Sequence, residues 1–516
     1  MQEPIRHGVM AEAFAQPLGE TRHATRVAAA LLAITACGLM LRLLRLDATS
    51  LWADEAFSAY WPHRSLYYLW TAGLFIETTP PLYYMLLKFW AVIAGDGDWA
   101  LRLFSVVAST LTIPLIFLLG LEVAVPAAAL AAAAIFAVSP MQIAYAQEAR
   151  VYALVPLAFA LALLGLLRFL RAARAGDRTD RWPSLALFAT GEVVLIYLHA
   201  TSVFTVAALT LAGGVLLLRD ARLRPALPRF ALATTAVALL SGLQLWAIYV
   251  QTGRHDLNWI QPPDLISLLN LVAQHFVDPV TPQTLFRLSC LLALSAGGLL
   301  LLLVPWLRLD RTRAVLLLGV PGLFLVTCIG LSFISPFLIV RMTIWIGVPL
   351  SLLAGMALAS AAPIWLRGGF ALALAACIAV GLNGTYVRVL QDKEDWRGLM
   401  AELLPQLGAQ DMVVIGPDTS MLAMLHYADG SFHNNGRELF RWEPKCRPPD
   451  LYLPDHVQRP IAVRTEALME EARQGRRIWL LLRATDWRDH AAYALGAPRP
   501  PVEIDRRHPM VVLVRW

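Results

Sequence analysis

PLYYMLLKFWAVIA (81–94) is the run whose reading decides the fold. It is apolar, yet it falls short of the ~20 residues a helix needs to cross the hydrocarbon core. It opens on Pro80-Pro81 and carries Lys88 beside Tyr83, Tyr84, Phe89 and Trp90, a composition suited to an amphipathic helix lying in the membrane interface. The flanking sequence tests that reading. Arg22 and Arg26 precede the first apolar run, from about Val27 to Leu46, which places the N-terminus in the cytoplasm. No small-residue cleavage site follows, so that run is read as an uncleaved span. Further runs at roughly 100–120, 123–138 and 150–167 lead to a loop bearing Arg168, Arg171, Arg174, Arg178 and Arg181, again cytoplasmic. A chain that starts inside and returns inside crosses an even number of times. Five apolar runs lie in between, so one does not cross, and 81–94 is the weakest. The first outer loop then runs from about Asp47 to Trp99, and SPMQIAYAQEARVYAL (139–154) also turns outside. The inner turn this requires near Glu122 has no basic residue of its own.

Composition supports the membrane class. Of 516 residues, 58% are hydrophobic and only 16% charged, so the core is mostly lipid-facing helix. The net charge of +6 sits in short loops between apolar runs, where the positive-inside rule explains it and nucleic acid is not needed. Cys37, Cys290, Cys328 and Cys377 fall in apolar runs and Cys446 in a polar tail, which offers no disulfide framework or metal-ligand spacing.

Spans near 184–199 and 201–218 turn outside at His199, and Arg219, Arg222, Arg224 and Arg229 mark the return. A span near 230–250 leads to an outer loop at about 251–286. The runs 287–306, 314–331, 336–359 and 369–387 then alternate, with Arg308, Arg311, Arg313 and Arg367 inside and SPFLIVR (335–341) outside. The expected fold is an all-α polytopic membrane protein of about eleven spans with its C-terminus outside. Three regions follow: a cytoplasmic segment 1–26, a membrane region 27–387, and an extracytoplasmic domain 388–516. In the last, KEDWRGLMAELL (393–404) reads as an amphipathic helix, while DMVVIGP (411–417), RRIWLLLRA (476–484) and MVVLVRW (510–516) read as buried strands, so a small α/β domain is expected.

Chemistry concentrates in LWADEAFSAYW (51–61), the first long polar interruption. Adjacent carboxylates at a span end must face water or a buried partner. An acidic solvated loop would look the same, and the neighbouring sequence decides between them. The topology gathers Asp54, Glu55, Glu77, Lys88, Glu148, Arg150, His199 and Arg341 on one face. A transporter would place charges near the midplane on broken helices, whereas these sit at span ends. A carboxylate there can take a proton from an acceptor hydroxyl, and a cation can hold a leaving phosphate as its charge grows.

The order LWADEAFSAYW, TTPPLYYMLLKFW (78–90), SPMQIAYAQEARVYAL, SPFLIVRMTIWIGVP (335–349) and KEDWRGLM resembles the bacterial membrane glycosyltransferases of the GT-C superfold. It is most similar to glycosyltransferase family 39, which includes protein O-mannosyltransferases and the lipid A aminoarabinose transferase. The resemblance implies inverting transfer of a sugar from a polyprenyl-phosphate carrier to a lipid, glycan or protein acceptor of the envelope. It also implies the outer, periplasmic side of a bacterial cytoplasmic membrane for both the active site and the C-terminal domain. A polytopic transporter or flippase of lipid-linked sugars is the alternative. By the same resemblance Asp54 is the catalytic base and Glu55 orients it, while Glu148 is a further acidic residue that binds a divalent cation, binds substrate, or pairs with Arg150. Arg341 is the expected contact to the carrier phosphate, set against a snorkelling interfacial arginine. Lys88, Arg102, Arg150 and Tyr152 are further candidates on the substrate side. A divalent cation is left open, with Asp54 and Glu148 as candidate ligands, and no other cofactor is implied. Relatives often carry a histidine or charged residue just before Pro80-Pro81, where this chain has Thr78-Thr79.

Overall fold

The computed structural model describes residues 18–77, 79–177, 180–252, 260–277, 283–388, 393–408, 410–416, 421–428, 439–442, 461–463, 465–483, 503–505, 507–508 and 511–515. Most of the expected cytoplasmic segment, Thr78, Arg178, Cys446, and Met510 and Trp516 of the last expected strand lie outside the described residues.

The membrane region begins with α1 (Leu18–Leu43). The expected outer loop holds α2 (Ala53–Tyr60), the short α3 (Leu66–Trp70) and α4 (Ala72–Ile76), and α5 (Leu82–Ala94). α5 has 13 residues, buries Tyr83, Tyr84 and Leu87, and exposes the apolar Phe89, Val92 and Ile93, so it is an apolar helix below span length and not the amphipathic one the sequence suggests. Then come α6 (Asp98–Val123), α7 (Pro126–Val138), α8 (Pro140–Ala146), α9 (Leu154–Ala175), α10 (Arg181–Leu198) and α11 (Ser202–Arg219). The region closes with α12 (Leu227–Thr252), α13 (Leu265–Phe276), α14 (Gln283–Leu303), α15 (Arg311–Ser332), α16 (Gly347–Leu358) and α17 (Ile364–Asn383).

Among the described residues, nine helices are long and apolar enough to cross a membrane, and the pair α7 and α8, bent by 53°, makes ten. The bend falls at Ser139-Pro140, where proline disfavours helical geometry in the residue before it. The count of about eleven differs by α10, whose 18 residues include Arg181, Pro183 and Glu192. α10 nonetheless packs tightly on α9: a Cβ on Gly165 would lie 2.4 Å from the Phe188 nitrogen, and one on Gly191 2.6 Å from that of Ala162. Glycine is required at both contacts, as at close helix crossings generally. α9 sits at the centre of the bundle, with 83% of its apolar window buried against 6% for α1.

Glu122, at the end of α6, pairs with Arg168 at 3.3 Å and Arg171 at 2.6 Å. The turn that lacked a basic residue in sequence thus borrows two from the basic loop, which puts both on one face. Arg174 extends the same cluster to Asp220 at 3.4 Å.

The C-terminal region contains α18 (Trp396–Leu403), α19 (Met421–Tyr427) and α20 (Thr465–Arg473). Its strands are β1 (Met412–Gly416), β2 (Leu439–Trp442), β3 (Ile461–Val463), β4 (Ile478–Arg483), β5 (Glu503–Asp505) and β6 (Val511–Arg515), in the order β3-β2-β1-β4-β6-β5. β1 to β4 run parallel, and β6 pairs antiparallel with β4 and β5. β1, β4 and β6 are the strands expected at 411–417, 476–484 and 510–516.

The C-terminal region is seated on the chain between α1 and α6. Its core includes Ala56 of α2, with Phe57 and Tyr60 packed against it. Asp98, at the start of α6, accepts from Arg397 at 2.5 Å, His426 at 2.8 Å and Tyr427 at 2.5 Å.

Candidate active site

α2 follows Trp52, whose backbone is extended and whose side chain caps nothing. Its first turn carries Asp54 and Glu55, and because successive helical residues diverge, the two acids face different surroundings. Glu55 turns inward and is fully buried. Arg102 grips it in a two-pronged pair, Nε to Oε1 and Nη2 to Oε2, both 2.8 Å. The remaining Arg102 donors meet the carbonyls of Leu46, Thr49 and Ser50 at 2.8–2.9 Å, and the Ala149 amide donates to Glu55 Oε1 at 2.8 Å. Burial would raise the Glu55 pKa, but Arg102 and then Lys393 outweigh it and hold the acid below its ordinary range. This cluster fastens α2, the chain before it, α6 and the 149 loop together.

Asp54 faces the other way and is partly open. Its Oδ2 accepts from Arg341 Nη1 at 3.0 Å, and its backbone carbonyl accepts from Arg150 Nη1 at 3.0 Å. Arg341 lies on the turn Val340–Ile346 that leads into α16, with its guanidinium 5.4 Å over the Tyr152 ring. Tyr152 in turn meets Tyr145 at 5.3 Å and His199 at 5.9 Å. Among the described residues, the Nε atoms of both Arg150 and Arg341 are buried donors without a partner. Such orphans are costly unless a ligand or water meets them. Burial, then Arg341 and Arg150, push the His199 pKa down to about 3, so the imidazole is neutral.

Glu148 pairs with Lys393 Nζ at 3.4 Å, and the same ammonium stands 3.9 Å from Glu55. Burial raises the Glu148 pKa, Lys393 opposes this, and Glu55 and Asp54 add to it. Pairing of Glu148 with Arg150, one of the three sequence readings, does not occur. The Arg150 side chain goes instead to the Asp54 carbonyl, Tyr84 at 3.3 Å and Thr79 at 3.3 Å.

Asp54, Glu55, Glu148, Arg102, Arg150, Arg341 and Tyr152 are therefore brought together from distant parts of the chain. Lys88 is not among them, since its Nζ donates to the carbonyls of Pro62 at 2.8 Å and Arg64 at 3.0 Å. Arg102 is spent on Glu55 and the chain before α2. Lys393, within KEDWRGLM, is a member of the site that the sequence alone does not single out. The usable signal was a lysine beside two acids, directly after the last span.

The candidate cation ligands Asp54 and Glu148 each face a basic side chain. Among the described residues no three His, Cys, Asp or Glu side chains converge. That donor set does not fit a divalent cation, which takes several oxygens at once.

Residues 78–246 match the family described as dolichyl-phosphate-mannose-protein mannosyltransferase. No curated protein sequence matches the chain. Among solved structures, ArnT from Cupriavidus metallidurans in the apo state is similar at 12% identity and a TM-score of 0.60, over 94% of this chain and 97% of that one. The same protein bound to undecaprenyl phosphate is similar at 13% identity and a TM-score of 0.59, with the same coverage. At such identity the likeness is one of fold alone, a helical bundle matched over nearly the whole of both chains.

Proposed function

We propose that this chain, a multi-pass membrane protein of GT-C fold whose residues 78–246 match a dolichyl-phosphate-mannose-dependent family, is an inverting glycosyltransferase. It moves a sugar from a polyprenyl-phosphate carrier to a hydroxyl on a lipid, glycan or protein of the envelope. The observation that carries this is one contact: Asp54 and Arg341, 287 residues apart in sequence, meet at 3.0 Å beside Tyr152. A base and an anion-binding cation thus share one pocket.

In the proposed reaction an acceptor hydroxyl enters beside Asp54, whose Oδ takes its proton. The hydroxyl oxygen bonds the anomeric carbon from the side opposite the phosphate, so configuration inverts. The bond from that carbon to the phosphate oxygen breaks, and its electron pair leaves with the carrier phosphate. Arg341 and Arg150, each with an Nε donor unfilled among the described residues, bind that growing charge. Glu55 fixes α2 and does not itself titrate in the reaction.

The pocket lies at span ends, opposite the Glu122, Arg168 and Arg171 cluster. With basic loops inside, it opens on the outer leaflet of a bacterial cytoplasmic membrane, where the carrier's headgroup resides.

The test is transfer from a polyprenyl-phosphate sugar by purified protein in lipid vesicles. Asp54→Asn is expected to lower kcat by roughly 10²–10⁴-fold. Unchanged transfer would remove the assignment.

A further inference from the structure

The C-terminal region enters the site through two adjacent residues. Glu394 is buried, 4% exposed. Its Oε2 accepts from the Ala53 backbone nitrogen at 3.2 Å and from Trp396 Nε1 at 2.6 Å, and its Oε1 pairs with Arg483 Nε of β4 at 2.6 Å. Its carbonyl accepts from Ser50 Oγ, which accepts from the Trp396 amide at 3.1 Å. Trp52 offers α2 no side-chain cap, so the first amide of that helix is met by a carboxylate 341 residues downstream. Unmet amides at a buried helix start are costly, and Ala53 directly precedes Asp54. Lys393, the neighbour of Glu394, reaches the other way, to Glu148 at 3.4 Å and Glu55 at 3.9 Å.

We infer that Lys393 and Glu394 are positioning residues through which the C-terminal sheet sets the geometry of Asp54 and Glu148, so that this region is a working part of the catalytic site and not a separate binding module. The inference rests on Asp54 being the base. Two further contacts agree with it. β4, which carries Arg483, lies between β1 and β6 inside the sheet, so the clamp is anchored on a rigid element. Ala56, on the second turn of α2, is already part of the C-terminal core. α2 is therefore held at its start by Glu394 and along one face by the sheet and helices behind it. A shift of α2 by about 1 Å moves Asp54 off the line of attack, and displacements of that size cost on the order of 10²-fold in rate.

The experiment uses the full chain in lipid vesicles with a polyprenyl-phosphate sugar. Glu394→Ala lowers kcat on the order of 10- to 100-fold while KM for the carrier-linked sugar stays near wild type. Glu394→Gln, which keeps an oxygen for the Ala53 amide, recovers most of the loss, and Arg483→Met falls between. Lys393→Met lowers kcat and Lys393→Arg restores it. Combined with Asp54→Asn, Glu394→Ala adds little, because both changes act on one step. Should Glu394→Ala fail to fold, the Gln and Arg483 variants carry the test. If Asp54→Asn transfers as wild type does, the assignment of the base fails. If Asp54→Asn is inactive while Glu394→Ala and Lys393→Met turn over normally, this inference alone is overturned. An equal loss from Glu394→Ala with and without Asp54→Asn also overturns it.

Discussion

Replacing Arg102 by Met strands Glu55 in a place no water reaches. The acid is 0% exposed and the arginine 1%, and the pair is held by two bonds of 2.8 Å with three backbone carbonyls on the remaining donors. Removing one partner of a buried pair leaves an uncompensated charge and costs roughly 3–5 kcal/mol. The carbonyls of Leu46, Thr49 and Ser50 lose their donor as well, at about 1 kcal/mol each where water cannot replace it. Arg102→Met should therefore lower the melting temperature of the detergent-solubilised protein by on the order of 5 °C. The double variant Glu55→Gln with Arg102→Met should recover part of that, because no charge is left buried. The pH dependence has a definite sign. Because the folded Glu55 is held below its ordinary value near 4.5, its contribution is present above that value and is lost as pH falls through the lower folded value. Arg102→Met should flatten that acid limb. An unchanged melting temperature, or a double variant as unstable as the sum of the singles, would refute the account of this cluster.

Three further outcomes are expected. Glu148→Gln removes an acid whose pKa is raised by burial; the stability tied to that group is present below its unfolded value and lost as pH rises through the folded one, so at neutral pH the variant should melt no lower than wild type while transfer falls, as paired melting and activity assays will show. Arg341→Met should weaken binding of polyprenyl phosphate about 10- to 100-fold, measured by titration in nanodiscs, in line with the loss of one charge-assisted contact. Asp98→Asn, by weakening the grip of Arg397 and His426 on α6, should make the C-terminal region more susceptible to limited proteolysis with little change in the membrane bundle.

The membrane bundle was legible because span length and the placement of arginines are strong signals. The shortness of 81–94 is matched by α5, a helix of 13 residues, and Glu122 at its turn pairs with Arg168 and Arg171. Side-chain pairing was not legible. Arg150 stands two positions from Glu148, which made an ion pair one of three readings, yet the turn at 147–150 sends the arginine to the Asp54 carbonyl and leaves the acid to Lys393. Lys88, a further candidate on the substrate side, instead donates to two carbonyls. In the C-terminal region, β1, β4 and β6 announce themselves as apolar runs, while β2, β3 and β5 are strands of three or four residues that carry too little periodicity to detect.

The most direct measurement is a cryo-electron microscopy structure of the protein in a lipid nanodisc with polyprenyl phosphate. The account places the phosphate on Arg341, within hydrogen-bonding distance of its guanidinium, with Asp54 beside it and the prenyl chain running into the outer leaflet. A phosphate held instead at the Arg168 and Arg171 end of the bundle, with Asp54 and Arg341 still locked together, would contradict it.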